Sequence, residues 1–191
     1  MRKKEDIELI KQIKGGDVAA FSQLIESHQN MVYTLAKGIV KNKQDAEEVA
    51  QDAFVKAYKS LDKYKGDSAF STWLYRIVYN TSISKLRQRK PEMKDVDDKQ
   101  TDKYEYRIAD NNKHRLELQE RKRLLKLALN QLKEEDAFIL TLYYYKELNI
   151  EEISKASGLS PSNVKVKLHR GRKQMHEELN KMLKGELNSI L

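Results

Sequence analysis

Apolar side chains recur at steps of three and four residues along two long stretches of this chain, the spacing that lines one face of an α-helix. After a break at Gly15 and Gly16, the recurring positions of the first stretch are Phe21, Leu24, Ile25, His28, Val32, Leu35 and Ile39. Only 7 Gly and 2 Pro interrupt the 191 residues, and both residue types disfavour helix interiors. We therefore predict an all-α protein.

The helical pattern falls into two blocks, at residues 1–90 and 116–191. In the first block we expect Asp17 to cap one helix and Asp45 to open the next, because Asp accepts hydrogen bonds from unpaired backbone N–H groups. Between residues 91 and 115 the apolar periodicity is lost and charges of both signs are mixed, which is typical of a flexible linker. The prediction is two small helical domains joined by a flexible charged linker.

The second block ends in the pattern of a helix-turn-helix. Asn149 and Glu152 have the spacing of a capping box that begins a short helix, and Gly158 ends that helix. Ser160 can cap the next helix, with Pro161 in its first turn, where a missing N–H costs nothing. A helix, a tight turn and a second helix form a unit that often binds DNA in the major groove.

The second helix of this unit has two different sides, judged at about 100° per residue. Its packing side is predicted to be Val164, Leu168, Gly171 and Met175, against Ile150 and Ile153. Its opposite side is predicted to be Ser162, Val166, His169 and Lys173, flanked by Lys165 and Arg170. Residues 160–173 carry five cations and no acid, in a chain with 29 Asp and Glu. Such exclusion favours phosphate binding; the alternative is a solvated basic face of an ordinary helical bundle.

The charge balance and the residue types narrow the function further. The formal net charge of +8 favours a polyanionic partner, either nucleic acid or an anionic membrane surface. The chain has no cysteine, and its 4 His show no ligand spacing, so we expect no metal, no cofactor and no catalytic activity. No apolar stretch approaches the length of a spanning helix and no secretory signal is evident, so we expect a cytoplasmic protein without membrane insertion.

Three segments of the chain, in order, resemble three motifs of bacterial RNA polymerase sigma factors. Residues 45–58, DAEEVAQDAFVKAY, resemble the polymerase-binding helix of that family. Residues 70–80, FSTWLYRIVYN, resemble the promoter-melting helix, and residues 164–172, VKVKLHRGR, resemble the recognition helix of the C-terminal domain. Because the two matching domains span nearly the whole chain apart from the linker, the chain resembles the extracytoplasmic-function group within the sigma-70 family.

This resemblance implies an alternative sigma factor that binds core RNA polymerase, recognises the −35 and −10 promoter elements and aids strand opening. The implied partners are the β′ clamp of the polymerase, promoter DNA in double-stranded and melted form, and an anti-sigma factor. The residues implied to contact the clamp are Glu48, Gln51 and Asp52. Glu48 and Asp52 lie one helical turn apart, which suits pairing with Arg or Lys; the alternative is that these acids only face solvent.

The residues assigned to the −10 element and the melted strand are aromatic, polar and basic. They are Tyr64, Lys65, Asp67, Ser68, Tyr75, Arg76, Tyr79, Asn80, Lys85 and Arg87. Aromatic faces stack on extruded bases, which contributes about 1–3 kcal/mol per base. The resemblance implies that the loop at residues 65–68 walls a pocket for a flipped base. The alternative for the aromatic set is ordinary core, and helical spacing already assigns Phe70 and Trp73 to the core or its rim.

The residues assigned to the −35 element lie on the second helix of the helix-turn-helix. They are Ser162, Asn163, Lys165, Val166, His169, Arg170 and Lys173. Lys165 stands where the family often has Arg, and Lys cannot make the planar two-pronged contact of Arg, so no promoter sequence is carried over. Two other classes of function are the alternatives: a dimeric helix-turn-helix regulator that acts without polymerase, and an enzyme. Neither an effector pocket, a dimerising helix nor a catalytic motif is evident in the sequence.

Overall fold

The computed structural model describes residues 2–88 and 112–190, and these residues form α-helices without any strand. The N-terminal domain consists of α1 (Arg2–Lys14), α2 (Val18–Val40), α3 (Lys43–Ser60) and α4 (Phe70–Gln88), with a 3₁₀ turn at Leu61–Lys63. The C-terminal domain consists of α5 (Asn112–Asn130), α6 (Glu134–Leu140), α7 (Ile150–Ser157) and α8 (Pro161–Ile190), with a π-helical turn at Thr141–Tyr145. The predicted all-α class is confirmed for this part of the chain.

Local capping sets the starts of α2 and α3. The Asp17 carboxylate accepts hydrogen bonds from the backbone N–H groups of Ala19 and Ala20, as the sequence predicts. The prediction that Asp45 opens the next helix is wrong by two residues, because α3 begins at Lys43. Asn42 is its cap, and the Asn42 side chain accepts a hydrogen bond from the Asp45 N–H. An amide oxygen replaces the expected carboxylate, since either group satisfies an unpaired N–H.

The N-terminal core lies where α2, α3 and α4 pack on one another. From the predicted stripe of α2, the residues that are buried are Leu24, His28, Val32, Leu35 and Ile39. The α3 helix contributes Ala46, Val49, Ala53 and Ala57, whose small side chains let neighbouring helices approach closely. Full burial of each large aliphatic side chain stabilises the domain by about 1.5–3 kcal/mol before entropy is counted.

The predicted helix-turn-helix is confirmed in α7 and α8. Asn149 and Glu152 form a reciprocal capping box at the start of α7. Gly158 ends α7 with φ at 76°, a left-handed conformation that glycine adopts without a steric cost. The Ser160 hydroxyl accepts a hydrogen bond from the Asn163 N–H, and α8 begins at Pro161.

The two sides of α8 also follow the prediction. Val164 and Leu168 are buried, together with Ile153 of α7. The opposite side, including Val166 at 62% exposure, faces solvent. The predicted linker at residues 91–115 lies mostly outside the described residues, and α5 begins at Asn112, inside the last part of that range.

The two domains are in direct contact. The α4 helix packs against α7, and α2 packs against α6, so both domains contribute to one shared interface. Over residues 2–88 and 112–190, no helix has the length and apolar character needed to cross a membrane.

Candidate nucleic-acid interface

The outer side of α8 is a continuous exposed surface with a cationic character. Its exposed residues include all the positions predicted for the −35 element: Ser162, Asn163, Lys165, Val166, His169, Arg170 and Lys173. Val164 and Leu168 are buried on the other side of α8, so the helix packs through its apolar face and its cationic face is exposed to solvent. A helix with one exposed face of cations can enter a major groove, which is about 12 Å wide.

Two cations of α8 are held by acids at the start of α6. The Arg170 guanidinium donates two hydrogen bonds of 2.7 Å to Asp136, whose side chain is completely buried, while 46% of the Arg170 side chain stays exposed. This contact raises the pKa of Arg170 above its ordinary value. The neighbouring Lys167 forms an ion pair with Glu135. Arg170, which the sequence assigns to the −35 element, therefore also links α8 to α6.

A further cation of α8 packs on aromatic rings instead. The Arg172 guanidinium lies 5.2 Å and 5.5 Å from the ring centroids of Tyr143 and Tyr144. A cation over an aromatic face is stabilised by about 0.5–1 kcal/mol at exposed sites. Lys165 and Lys173 are exposed, and they point away from the packed side of α8.

The loop between α3 and α4 forms one wall of a cavity of about 220 Å³. The Tyr64 hydroxyl donates a hydrogen bond of 2.7 Å to the Ser68 carbonyl, which closes this loop on itself. The Tyr64 ring lies 5.5 Å from the ring of Trp73, and both residues line the cavity. Burial raises the pKa of Tyr64, with smaller contributions from the charges of Asp6 and Asp67. The hydroxyl is therefore a neutral hydrogen-bonding group at physiological pH.

The structure brings together the predicted loop residues and part of α4 around this cavity. Its lining includes Tyr64, Lys65, Asp67, Ser68 and Arg76 from the predicted set. Thr72 also lines it, a residue outside the predicted set. Among the described side chains, its Oγ1 is buried without a hydrogen-bond partner. No sequence pattern marks such an atom, because only the packed structure decides whether a hydroxyl finds an acceptor.

The predicted −10 residues on α4 differ in their exposure. Arg76 and Asn80 are exposed. Tyr75 and Tyr79, in contrast, are buried, with 3% and 8% of their surfaces accessible. The Tyr79 ring stacks on Phe138 of α6, and its hydroxyl donates a hydrogen bond to Glu135. Their contact with an unpaired strand stays a prediction, and in this conformation the C-terminal domain covers Tyr79.

The predicted polymerase-binding residues lie on the exposed side of α3. Glu48, Gln51 and Asp52 are all exposed, as a docking surface requires. Lys85 of α4, assigned to the −10 element and the melted strand, donates a hydrogen bond of 2.6 Å to Glu48 and lies 3.8 Å from Asp45. The hydrogen bond to Glu48 raises the pKa of Lys85. The predicted polymerase-binding and −10 sites are therefore in contact through Lys85 and Glu48. Residue spacing along either helix does not reveal this contact.

A groove of about 490 Å³ runs beside this surface, between α2 and α3. Gln51 lines it together with Phe54, and α2 contributes Gln29, Asn30 and Tyr33. These residues of α2 lie outside the apolar stripe of that helix, so helical periodicity does not single them out. Within residues 2–88 and 112–190, no cluster of His, Asp and Glu could hold a metal ion.

Comparison with known proteins settles the family. The family description Sigma-70 region 2 matches residues 24–92, and the description Sigma-70, region 4 matches residues 122–175. The ECF RNA polymerase sigma factor SigW of Bacillus subtilis is 30% identical over 176 residues, covering 89% of this chain and 94% of SigW. The chain belongs to the extracytoplasmic-function sigma factors.

A further relative and two solved structures are also similar to this chain. The RNA polymerase sigma-H factor of Pseudomonas aeruginosa is 31% identical to this sigma factor over 193 residues, covering 96% of this chain and 98% of that protein. The structure of CnrH in complex with the cytosolic domain of CnrY matches with a TM-score of 0.64 at 24% identity, over 93% of this chain and 98% of that one. Sigma factor RpoE of Bartonella quintana, in complex with the anti-sigma factor NepR, matches with a TM-score of 0.62 at 22% identity, over 85% and 98%.

Family membership confirms the overall function that the resemblance implied, which is that of a sigma factor. This sigma factor binds RNA polymerase and recognises promoters in transcription initiation. The matched ranges fall on the two helical domains, with region 2 beginning at Leu24 in α2 and region 4 ending at Met175 in α8. The structural matches to CnrH and RpoE confirm the helical fold.

Proposed function

We propose that the sigma factor divides promoter recognition between its two domains. In this proposal α8 reads the −35 element as a duplex, while the cavity and the exposed residues of α4 bind the melted −10 strand and aid its opening. The α3 helix docks on the β′ clamp of core polymerase. The observation that carries the proposal is the two-sided α8, whose buried Val164 and Leu168 leave an outer face with exposed cations and no acid from residue 160 to 173.

For the −35 element, the proposed base-edge contacts come from Lys165 and His169, which are one helical turn apart and exposed. Lys173 extends the same face toward the DNA backbone. Ser162 and Asn163 lie in the first turn of α8, where backbone N–H groups attract phosphate. Arg170 contributes positive charge near the groove, and its two hydrogen bonds to Asp136 limit how far it can reach.

For the −10 element, the cavity beside Tyr64 and Trp73 combines aromatic faces with hydrogen-bonding groups. A base that enters it can stack on these aromatic faces, and Lys65 and Arg76 in the lining can donate hydrogen bonds to it. Asn80 is exposed on α4 and has both a donor and an acceptor, which suits base-edge contact once pairing is lost.

We also propose an anti-sigma partner and a cytoplasmic location, with no catalytic step carried out by this chain. Solved relatives of the same fold include CnrH bound to CnrY and RpoE bound to NepR, and those complexes motivate the partner. Affinity purification of the tagged full chain from its host should recover core polymerase subunits. A tagged chain that recovers none of them under conditions where it is expressed would contradict the proposed docking.

The experiment for the proposed roles is run-off transcription with purified core polymerase and a library of promoter sequences. Asn80→Ala should impair strand opening on a selected promoter, measured by permanganate reactivity of unpaired thymines, and should leave core binding intact. Asn130→Ala, at an exposed position at the end of α5, is the matched control. Strand opening by Asn80→Ala equal to that of the control would contradict the role of Asn80.

A further inference from the structure

The N-terminal helix α1 packs next to the proposed −10 cavity without lining it. It contacts α2, the 3₁₀ turn at Leu61–Lys63 and α4. No described residue of α1 belongs to the lining of the cavity. The match to Sigma-70 region 2 begins at residue 24, so α1 precedes the matched range. Its contacts, rather than that match, indicate what the helix does.

A buried polar pair joins α1 to α2. The His28 Nε2 atom lies 3.0 Å from the Asp6 Oδ1 atom, a distance at which the ring N–H donates a hydrogen bond to the carboxylate. Each of the two residues is only 6% exposed. Because a buried polar group without a partner is costly, this hydrogen bond fixes the orientation of the His28 ring in the core.

The His28 ring in turn packs against the aromatic cluster of the cavity. It meets the Phe70 ring edge-on, with centroids 5.4 Å apart. Phe70 is buried, and its ring lies 5.7 Å from Tyr64 and 5.6 Å from Trp73, the two rings that line the cavity. Protein interiors are closely packed, so a turned His28 ring displaces Phe70 and, through it, the two wall rings.

A second contact from α1 holds the backbone where the cavity loop begins. The Lys14 ammonium donates a hydrogen bond of 3.1 Å to the Tyr64 carbonyl. At the other end of the same residue, the Tyr64 hydroxyl is bound to the Ser68 carbonyl. The α1 helix therefore reaches the cavity wall by two routes, through the backbone of Tyr64 and through the ring of His28.

We propose that Asp6, His28 and Lys14 are positioning residues, which hold the aromatic wall of the −10 cavity in the arrangement that accepts an unpaired base. None of the three lines the cavity, so they act through Tyr64 and Phe70. A wall that is ordered before the base arrives loses less conformational entropy on binding. The inference rests on the proposed −10 function of the cavity, because the position of its wall matters only if the strand binds there.

The first experiment removes the acid of the buried pair and uses holoenzyme assembled from core polymerase and the full chain. Asp6→Ala frees the His28 ring, and the rate of strand opening, followed by permanganate reactivity of unpaired thymines, should fall about tenfold. Asp6→Asn keeps an oxygen that accepts from the His28 N–H, so it should restore the rate to within about twofold of wild type. Binding to core polymerase and the affinity of the closed promoter complex should not change.

The matched control for this experiment is Glu8→Ala, which removes an exposed acid of the same helix. Equal opening rates in Asp6→Ala and Glu8→Ala would overturn the role of the pair. So would equal losses in Asp6→Ala and Asp6→Asn, because the hydrogen bond would then not matter. A loss of core binding in proportion to the loss of opening would show a general folding defect and would also overturn the positioning role.

The second experiment leaves the core intact. Lys14→Met keeps an unbranched side chain at an exposed position and removes the donor to the Tyr64 carbonyl, and Lys11→Met on the same helix is its matched control. The readout is the ratio of holoenzyme affinities for a short non-template −10 strand and for strands with one base changed. Lys14→Met should lower this ratio about threefold at one position of the strand, where the base enters the cavity. A loss of stability would instead lower all affinities equally. Equal ratios in the two lysine variants would overturn the role of Lys14.

Tyr64→Ala separates failure of this inference from failure of the proposed function. If Tyr64→Ala opens the promoter at the wild-type rate, the cavity does not bind the strand, and the proposed −10 function fails together with the inference. If Tyr64→Ala is impaired while Asp6→Ala and Lys14→Met behave as their controls, the cavity keeps its function and only the positioning role is wrong.

Discussion

Arg170 and Asp136 should make very unequal contributions to stability when each is removed alone. Asp136 is completely buried and accepts both of its hydrogen bonds of 2.7 Å from Arg170, whose side chain is 46% exposed. Arg170→Ala leaves a buried carboxylate without that partner, a change that costs about 3–5 kcal/mol. Asp136→Ala leaves a guanidinium that water can reach, so we expect a smaller cost of about 2 kcal/mol.

The double variant provides the sharpest test of this reasoning. In Asp136→Ala there is no buried carboxylate that could lose its partner. Replacing Arg170 as well should therefore lower the free energy of unfolding by less than about 0.5 kcal/mol more. The free energy of unfolding is measured by urea titration of the full chain, followed by far-UV circular dichroism. Lys173→Ala, an exposed cation on the same helix, serves as control. Additive effects, or a loss in Asp136→Ala larger than in Arg170→Ala, would refute the explanation.

Three further predictions follow from the sites described above. Arg170→Ala should weaken promoter binding and reduce the slope of log affinity against log salt concentration by about 0.9, as expected for the loss of one phosphate contact. Asp136→Ala keeps the Arg170 charge and is the comparison. An equal slope in the two variants would show that Arg170 has only a structural role. Asn149→Ala should lower stability by about 1 kcal/mol through loss of the cap of α7, measured by thermal unfolding, and a change no larger than in Glu151→Ala would contradict this. Burial and the hydrogen bond to Glu135 raise the pKa of Tyr79 above its ordinary value of 10.0. Its contribution is full below about pH 10 and decreases at higher pH, because the unfolded phenol ionises first; the stability difference from Tyr79→Phe should therefore narrow above pH 10, and a constant difference would count against it.

The helices and their ends are the part of the fold that local sequence predicts well. The cap at Asp17, the capping box at Asn149 and the left-handed end at Gly158 all depend on groups within a few positions of each other, so a single stretch of sequence contains the whole interaction. The start of α3 was misplaced by two residues because Asn42 and Asp45 are both good capping residues, and local preference did not distinguish between them.

The sequence allowed the candidate sites to be proposed as sets of residues, but it did not show which of those residues share a surface. The division of α8 into a buried and an exposed side follows from helical period alone, and the structure agrees with it. The same rule could not tell whether Tyr79 faces DNA or protein, because both are compatible with one helical face. The Lys85–Glu48 pair was hidden in the same way, since its members lie on different helices.

The sequence by itself therefore determined the helical class, the two-domain pattern, the helix-turn-helix and the cationic face of α8. Each of these depends on residue type and spacing within one helix or turn. Only the tertiary structure decided that Glu135 meets Tyr79, 56 positions away, and that Asp136 holds Arg170, 34 positions away. The reason is physical: a pairing between distant residues depends on which helix faces pack together, and many packings share the same local pattern.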